Sequence, residues 1–433
     1  MRMRKTGKQF CGMLLLFAAL LLCIGMPAEA KSYKTYKISA STKPYTNAYQ
    51  KRAKADKTRS TTYMLKSYLD LIDKKGGGTL VFRKGTYNIY ENLYIPSNTT
   101  LKFEKGVKIV AKKGVAGVFN LIPPSKTGKK NWAKKYASSK NVKFVGNSNV
   151  VFDLGSTSAT AIYMTHNQNV TVENIQFKKN NSSRYMIELN GVKNVTIKNC
   201  DFIGTSAQKT SAVSVDVPAK KRAQTKSWSS NDDTLNQKVT IENCKFDKLN
   251  RAIVTLRYVS KKYNTDFKVT GNQITNIKDD AIRAINWKKF SVTANTFKNV
   301  ASGGSIATSE GKLKRAVYLA GAASPTITGN TFENVPRAIE FNIYTNTDTK
   351  LKSYAATVNT VTNAELQSML NGNTIVNNRE YVIRVYKAQG GDSDRYWYPD
   401  DTETFYVTPD DTPYRNVYLN YTDYNKTTRQ YYA

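Results

Sequence analysis

The sequence is poor in the residues that metal-dependent and triad hydrolases use. Its 433 residues include one histidine, His166, and four cysteines. One imidazole cannot form a zinc site of the HExxH type, and a Ser-His-Asp triad has only that histidine to use. Only Cys200 and Cys244 lie outside the first 30 residues, and two cysteines are too few for a disulfide scaffold or a structural zinc site. Both reaction classes therefore lose most of their support, and we expect no bound metal and no cofactor.

Long apolar runs are confined to the N terminus. Residues 1–30 begin with basic residues, continue in an apolar run from Phe10 to Gly25 and end in Met-Pro-Ala-Glu-Ala. This order is typical of a secretory signal peptide, and the run is shorter than the ~20 residues that a membrane span needs. We expect cleavage after Ala30 and a secreted protein that spans no membrane, with charge as its means of association with the cell wall.

Acidic residues are scarce. The chain has 66 Lys+Arg against 32 Asp+Glu, a formal net charge of +34. Such a field attracts polyanions. For an exported protein we expect an acidic polysaccharide or an anionic cell-wall polymer as partner. Nucleic acid is not expected, because the sequence contains no groove-reading helix or RNA-binding signature. The alternative is that the charge serves only solubility.

A short phrase recurs through the middle of the chain. Its copies are NVTVENIQF (169–177), NVTIKNCDF (194–202), KVTIENCKF (238–246), KVTGNQI (268–274), SVTANTF (291–297) and PTITGNTF (325–332). Short strands with alternating apolar residues, repeated without helical patterns between them, predict a solenoid of parallel strands. We expect a monomer, because the coils bury one another's apolar sides.

Each copy of the phrase carries an asparagine, and we predict that these asparagines stack in one structural column at a turn. The column is Asn174, Asn199, Asn243, Asn272, Asn295, Asn330 and, in a weaker copy, Asn373. Asparagine tolerates left-handed backbone, and stacked carboxamides can hydrogen-bond along a solenoid. Cys200 and Cys244 directly follow two of them, which predicts two stacked, buried free thiols. A disulfide is the alternative in an oxidising compartment.

Three segments carry a resemblance to a known family. GGGTLVFRKGTYNI (76–89), the NVTIKNCDF repeats and KDDAIRAINW (278–287) resemble the pectin-lyase-like right-handed parallel β-helix superfamily. The resemblance implies an all-β solenoid over residues 61–390, and a helical pattern from Tyr63 to Lys74 predicts an N-terminal capping helix. Residues 31–60 are interpreted as a basic N-terminal segment, and 391–433 as a tyrosine-rich cap or appendage. The superfamily includes lyases, hydrolases and non-catalytic surface proteins.

A second short strand follows each asparagine phrase, and its alternation predicts an outward column of side chains. The column reads Tyr163, Glu188, Ser214, Val254, Arg283, Tyr318, Glu340 and Arg384. Asp216 follows Glu188 by one coil and two residues, so their Cα atoms should lie roughly 8 Å apart. This span suits an acid and a base acting through a water, as in inverting glycoside hydrolysis. The alternative is a pair of solvated acids with basic neighbours.

Arg283 and Asp280 complete the predicted catalytic set. Arg283 lies on the same face and could hold a substrate carboxylate, serve a lyase, or form an ion pair with Glu188 or Asp216. The preceding turn predicts a stack of Arg251, Asp280, Arg315 and Arg337, most simply a ladder of ion pairs.

The Asp279-Asp280 pair resembles the aspartate pair of polygalacturonases, which implies a catalytic role for Asp280. The other motifs of that family are absent. The expected substrate-binding residues are Tyr163, Tyr318, Glu340 and Arg257. Calcium is possible for a lyase, but no carboxylate spacing supports it.

Two functions remain open from the sequence. The first is a secreted carbohydrate-active protein that cleaves an anionic, uronic-acid-type polysaccharide by hydrolysis or β-elimination. The second is a non-catalytic surface protein that binds a wall polymer or glycan through the same basic face.

Overall fold

The chain is described by a computed structural model, which covers residues 32–179, 184–219, 225–301, 314–335 and 337–342 continuously. Shorter described stretches follow at 364–365, 368–369, 372–376, 381–386, 395–397, 424–425 and 430–431. The predicted signal peptide and most of the predicted cap at 391–433 lie outside the described residues.

Three long sheets, which we name A, B and C in the order in which each coil visits them, make up the described fold. Sheet A contains Thr35–Ile38, Gly78–Phe82, Thr99–Phe103, Lys140–Gly146, Gln168–Glu173, Lys193–Lys198, Gln237–Glu242, Asn264–Thr270, Trp287–Thr293 and Ala323–Thr328. Sheet B contains Gly85–Ile89, Val107–Ala111, Val151–Asp153, Gln176–Lys178, Asp201–Ile203, Lys245–Leu249, Gln273–Ile277, Thr296–Val300, Thr331–Glu333 and Thr374–Val376.

Sheet C contains Leu93–Tyr94, Gly117–Asn120, Thr160–Thr165, Tyr185–Asn190, Ser211–Asp216, Ile253–Val254, Ile282–Ile285, Val317–Ala320, Arg337–Asn342, Tyr381–Tyr386 and Arg395–Trp397. The last of these strands pairs antiparallel with its neighbour, whereas the others pair parallel. Tyr424–Asn425 and Gln430–Tyr431 form a separate antiparallel pair. The prediction of a parallel β-helix is confirmed.

Like residues lie over like inside the solenoid. The ring centroids of Phe177 and Phe202 are 5.0 Å apart, and those of Phe202 and Phe246 are 4.9 Å apart. These distances match the spacing of neighbouring strands, so each coil repeats the side-chain layer of the coil before it. Burial of each such ring contributes about 1.5–3 kcal/mol, which explains why the repeated phrase ends on an aromatic or aliphatic residue.

A helix covers the first coil, as the sequence predicts. It runs from Ser60 to Lys75, and its buried face includes Met64, Leu65 and Ile72, which join the main core. Gly76, at φ 75°, ends it in the left-handed conformation that glycine adopts without strain. A second helix at Asn47–Ala55 packs against it, and 3₁₀ turns lie at Lys57–Arg59 and Pro124–Lys126.

The first strand of sheet A lies within the segment 31–60. Residues Thr35–Ile38 pair in parallel with Gly78–Phe82, so sheet A begins before the capping helix in the chain. The alternating pattern of this strand is too short to separate it from the surrounding basic residues. In the described part of the chain, no helix combines the length and apolarity needed to cross a bilayer.

The prediction of one asparagine column is wrong, because the structure divides the seven asparagines between two adjacent columns. Asn174, Asn199 and Asn243 are exposed and left-handed, with φ between 53° and 59°. Gly271 and Gly329 take the same position in later coils, at φ 66° and 69°. The later asparagines lie one residue further along the coil, in the buried column that Cys200 and Cys244 occupy earlier.

The buried asparagines form a continuous hydrogen-bonded ladder. Asn272 donates Nδ2–H to Oδ1 of Asn295 at 2.9 Å, Asn295 repeats this with Asn330 at 3.0 Å, and Asn330 with Asn373 at 2.9 Å. Each Oδ1 also accepts the backbone N–H of the asparagine in the preceding coil. Asn272, Asn295 and Asn330 are buried, and because every carboxamide of the ladder is bonded, it avoids the cost of buried polar groups without partners.

The two cysteines begin this same column. Both are buried and free, which confirms the prediction of two stacked thiols. Sγ of Cys244 lies 3.7 Å from the carbonyl oxygen of Ile197, in the place where Asn272 donates to the carbonyl of Ile241. Burial raises the pKa of the Cys200 thiol, and the neighbouring Cys244 adds to the rise. Cysteine therefore acts here as a small filler.

Candidate functional site

The outer face of sheet C carries the predicted column in the predicted register. Tyr163 pairs with Glu188, Glu188 with Ser214, and Ser214 with Val254. The column continues through Arg283, Tyr318 and Glu340 to Arg384. Asp216 pairs with Asn190, so it lies one coil and two residues from Glu188, as expected. Strand alternation alone was enough to establish this order.

Most of the column is buried, which the alternation does not predict. Tyr163 is 1% exposed, Glu188 0% and Asp216 1%. The alternative that the two carboxylates are solvated acids is therefore wrong. Both instead have hydrogen-bond partners inside the fold, described below, and the chemistry open to them depends on those partners.

Glu188 lies in the strand Tyr185–Asn190, beside the buried amine of Lys179. Its Oε1 accepts a hydrogen bond from the hydroxyl of Thr160 at 2.9 Å. Lys179 is 0% exposed and donates Nζ–H to the carbonyl of Ala159. Burial lowers the pKa of the Lys179 ammonium to about 7, and the Glu188 carboxylate partly opposes this shift. The charge that faces Glu188 is therefore Lys179, not Arg283.

Asp216 is held by main-chain donors. Its Oδ1 accepts the backbone N–H groups of Leu256 and Arg257 at 2.8 and 3.0 Å. Two such bonds stabilise the ionised carboxylate and fix its orientation. They also join the end of one sheet C strand to the loop after the next strand. Arg257, predicted to bind substrate, thus contacts Asp216 through its main chain.

Two long loops, which follow the sheet C strands Gly117–Asn120 and Ser211–Asp216, pack together. The first comprises residues 121–139, the described residues of the second are 217–219 and 225–236, and a β-bridge joins the two at Ala133 and Ser229. Ile122, Ala133 and Trp228 form a small second core, against which Tyr94 of sheet C packs. Loop insertions of this kind interrupt the repeat, so the alternation of the strands could not reveal their position.

His166 fastens the two loops to sheet C. It is buried, and its Nδ1–H donates to the carbonyl of Lys135 at 2.9 Å in the first loop. Its Nε2 lies 3.1 Å from Oγ of Ser229 in the second loop. The φ of 61° places it in the left-handed region at the turn. These contacts give the single histidine of the sequence a structural role where the two loops meet sheet C.

A charged group occupies the later coils of the same face. We name it the arginine cluster: Arg251, Arg283, Lys314, Arg315 and Arg337 with Asp279, Asp280 and Glu340. Arg315 Nε lies 3.2 Å from Asp280 Oδ1 and 3.6 Å from Glu340 Oε1. The guanidinium carbons of Arg315 and Arg283 lie 4.1 and 5.0 Å from the ring centroid of Tyr318. The predicted stack at the turn is thus a network of ion pairs around one tyrosine.

Arg283 pairs with a different acid from those expected. Its Nη1 lies 3.8 Å from Oδ2 of Asp280, three residues earlier on its own chain segment. The expected partners Glu188 and Asp216 sit two or three coils away in the sheet, out of reach. The side chain of Arg283 is 27% exposed, which makes it the part of the predicted catalytic set most open to solvent.

The pKa values of the two adjacent aspartates, Asp279 and Asp280, are shifted in opposite directions. Burial raises the pKa of the Asp280 carboxyl above its ordinary value, although Arg315 opposes the rise. Burial acts in the same sense on Asp279, but Arg251, the backbone N–H of Asp280 and Lys314 outweigh it and hold its pKa below the ordinary value. The pair therefore contains one carboxyl that holds its proton more tightly than an ordinary aspartate and one that releases it more readily.

Two buried donor atoms and one buried acceptor atom of the cluster make no hydrogen bond with any described residue. Within the part of the chain that the structure describes, the buried Nε atoms of Arg251 and Arg283 make no hydrogen bond, and neither does the buried Oδ2 of Asp280. Buried polar atoms are nearly always hydrogen-bonded, so such atoms point to a water or a ligand. Because two of the three atoms are guanidinium N–H donors, an acceptor ligand such as an oxyanion fits this place best.

Sequence reasoning missed two of these features. Lys179 gave no signal, because it stands among ordinary surface lysines in KKN. Arg315 was placed in the turn, but its contact with Tyr318 depends on rotamers. The described residues contain no group of three or more histidine, cysteine or acidic side chains arranged to hold a metal ion. The possibility of calcium therefore gains no support from them.

The comparisons with known proteins agree on architecture. The family model described as a right-handed β-helix region matches residues 134–297. The chain is similar to plasmin and fibronectin-binding protein A of Streptococcus pneumoniae, with 21% identity over 53% of this chain and 36% of the relative. The match thus spans about a third of that relative's length.

Two solved structures are similar to this chain. A crystal structure of the pneumococcal surface adhesin PfbA matches with 17% identity and a TM-score of 0.46, covering 65% of this chain and 74% of the adhesin. A family 28 exopolygalacturonase of Yersinia enterocolitica matches with 12% identity and a TM-score of 0.41, covering 67% of this chain and 66% of the enzyme.

Proposed function

We propose that this protein is an extracellular β-helix protein that binds anionic polysaccharide at the arginine cluster on the outer face of sheet C. The observation that carries the proposal is the concentration of cationic side chains at one place on sheet C, where Arg251, Arg283 and Lys314 are 18%, 27% and 33% exposed. A carboxylate or sulfate of the polymer would accept hydrogen bonds from the exposed parts of the two guanidinium groups, in the planar geometry that these groups favour.

The balance of charge supports an anion as the ligand. The cluster has five cationic side chains and three acidic ones, and the whole chain carries +34. Long-range attraction would concentrate a polyanion at the surface, and the guanidinium donors would then fix its position. The pneumococcal relative is named for binding, which agrees with a binding role.

The test is a binding titration with polygalacturonate, alginate and hyaluronate, with an uncharged polymer as reference. We expect affinity for at least one polyanion that falls with added salt. Arg283→Gln should weaken it about tenfold or more, since it removes a charge-assisted hydrogen bond. Lys143→Gln removes the same charge from the outer face of sheet A and should change affinity less than about twofold. Equal losses in both variants would contradict a defined site.

Cleavage of the same polymer is the second candidate. The opposite pKa shifts of Asp279 and Asp280 favour it, because an acid and a base are required at one place. The assay measures new reducing ends for hydrolysis and the ultraviolet absorbance of unsaturated uronides for elimination. Asp280→Asn should lower turnover at least about 100-fold if Asp280 is the acid. If a polymer binds but none of the polymers yields a product, the protein binds the polymer without cleaving it.

The same cleavage assay tests Glu188 and Asp216, the acid and base pair predicted from the sequence. Glu188→Gln and Asp216→Asn should each lower turnover by at least about 100-fold if they act as acid and base. Each variant keeps a side chain of equal size, and circular dichroism checks that the fold survives. Unchanged turnover in both would assign the two carboxylates to the hydrogen bonds with Thr160, Leu256 and Arg257 alone.

A further inference from the structure

A cleft at the corner between sheets A and B is separate from the site described above. It has a volume of about 400 Å³ and is bounded on one side by the turn 146–151. The next two coils make the same corner with one exposed residue each, Asn174 and Asn199. The longer turn therefore stands beside a step in the surface. The volume of the cleft lies in the range of roughly 300–1,000 Å³ that small-molecule sites occupy.

Carboxamides dominate the lining. Asn149, Asn174 and Asn199 all face the cleft and are exposed. No hydrogen bond joins the three carboxamide groups to any residue in the described ranges, whereas Gln176 donates to Asp201 Oδ2 at 3.3 Å. Each free carboxamide offers two donors and an acceptor to a ligand, the combination that pairs with a sugar hydroxyl.

The backbone does not require these carboxamides. Asn149, Asn174 and Asn199 have φ of 58°, 59° and 53°, a conformation that asparagine tolerates. In later coils the same corner is made by Gly271 and by Ala294, so the turn forms without an amide side chain. The carboxamides at the cleft are therefore available for a role beyond shaping the turn.

The charge of the lining selects the kind of ligand. None of the residues that line the cleft is a lysine or arginine, although the chain contains 66 of them. Asp201 supplies a single acidic group, and Val151 and Ile175 supply apolar wall. This setting disfavours an anion and suits an uncharged ring with hydroxyls on its edge and C–H groups on its face.

We propose that the cleft binds an uncharged, hydroxyl-rich sugar, with the carboxamides of Asn174 and Asn199 hydrogen-bonding its hydroxyls. The site lies at the corner of sheets A and B, whereas the arginine cluster lies on sheet C. The protein thus carries two sites with opposite selectivity: one for anionic groups and one for neutral sugar. The second site does not depend on whether the first binds or cleaves.

The experiment titrates the full mature chain with neutral hexasaccharides of glucose, mannose, galactose and xylose, followed by calorimetry or by ¹⁵N chemical shifts. We expect at least one to bind, and the Asn174→Gly, Asn199→Gly double variant to weaken that binding about tenfold or more. Glycine keeps the left-handed turn, so the fold is preserved. Asn243→Gly is the matched control, because it removes the next carboxamide of the column outside the cleft, and it should leave affinity unchanged.

A second variant keeps the amides and blocks the space. Ser148→Trp places a large side chain on the exposed turn beside the cleft and should abolish binding of the neutral sugar. Polyanion binding, measured in parallel, should stay at the wild-type level in every variant. The proposal is overturned if no neutral hexasaccharide binds the wild-type chain, or if Asn243→Gly weakens binding as much as the double variant. A fall in polyanion binding in the Asn174→Gly, Asn199→Gly double variant would also contradict the proposal, because the two sites would then not be separate.

Discussion

The earlier and later coils of the solenoid place asparagine on opposite sides of the same turn. In the earlier coils Asn174, Asn199 and Asn243 are exposed, left-handed and, among the described residues, make no side-chain hydrogen bond. In the later coils Asn272 and Asn295 point inward and bond to each other. A shift of one residue along the repeat thus changes the asparagine from a surface group into part of the core.

The difference shows that one residue type can serve two purposes in one repeat. The inner ladder fills a buried position with groups that satisfy one another, so its value is in stability. The outer column keeps the turn while leaving its carboxamides free, so its value can lie in contacts with a ligand. Cys200 and Cys244 fill the inner position where the asparagines are outside, which keeps the earlier coils apolar there.

The largest effect is expected from a substitution that breaks the inner ladder of asparagines. Asn295 donates to Val269 and Asn330 and accepts from both the N–H and the Nδ2–H of Asn272. Asn295→Ala leaves these buried groups without partners and should lower the free energy of unfolding by about 3 kcal/mol or more. Urea unfolding followed by circular dichroism measures it.

The matched variant in the outer column is Asn199→Gly. Its carboxamide is exposed and glycine accepts the left-handed turn, so the free energy of unfolding should change by less than about 1 kcal/mol. If Asn295→Ala and Asn199→Gly lower the free energy of unfolding by the same amount, the inner ladder stabilises the fold no more than the outer column does.

An intermediate effect concerns the buried charge of the earlier coils. The pKa of Lys179 falls from 10.5 to about 7 on folding, so between pH 7 and 9 the unfolded chain binds more protons than the folded one. Stability therefore rises with pH across this window, by about 2 kcal/mol from this group. The rise is complete only as pH approaches the unfolded value.

The double variant Lys179→Met, Glu188→Gln tests this contribution, because it removes the amine together with the carboxylate beside it. Its free energy of unfolding should lack the rise between pH 7 and 9 that the wild type shows. The uncharged asparagine ladder provides the contrast, since Asn295→Ala should keep the wild-type slope. Parallel slopes for the wild type and the double variant would mean that Lys179 keeps its proton.

The smallest effect is expected from a substitution that extends the inner ladder by one asparagine. The backbone N–H of Cys244 already donates to Oδ1 of Asn272 at 2.9 Å, and its Sγ faces the carbonyl of Ile197. In Cys244→Asn, the new Nδ2 can donate to both acceptors, so stability should change by less than about 1 kcal/mol. Cys244→Leu lacks any donor and overfills the position, so it should cost more, about 1–3 kcal/mol. The same unfolding assay compares the two.

The sequence predicts the repeat well because the repeat is local. Alternation in TAIYMT, YMIELN and AVSVDV places Tyr163, Glu188 and Ser214 in one column, and the register agrees. It did not separate Asn243 from Asn272, because KVTIENC and KVTGNQ align equally well on either side of a one-residue shift. Whether an outward residue is exposed also escaped prediction, since exposure depends on segments distant in the chain.

What the sequence determined by itself is the order of strands, the capping helix, the two buried thiols and the basic charge, because each follows from local periodicity and composition. Only the tertiary structure decided that Glu188 and Asp216 are buried, that Arg283 turns to Asp280 and Tyr318, and that the amides divide into two columns. The physical reason is that burial and side-chain pairing are set by which coils and loops meet in space. In a stacked solenoid those neighbours are separated by 20 residues or more, so no local pattern contains them.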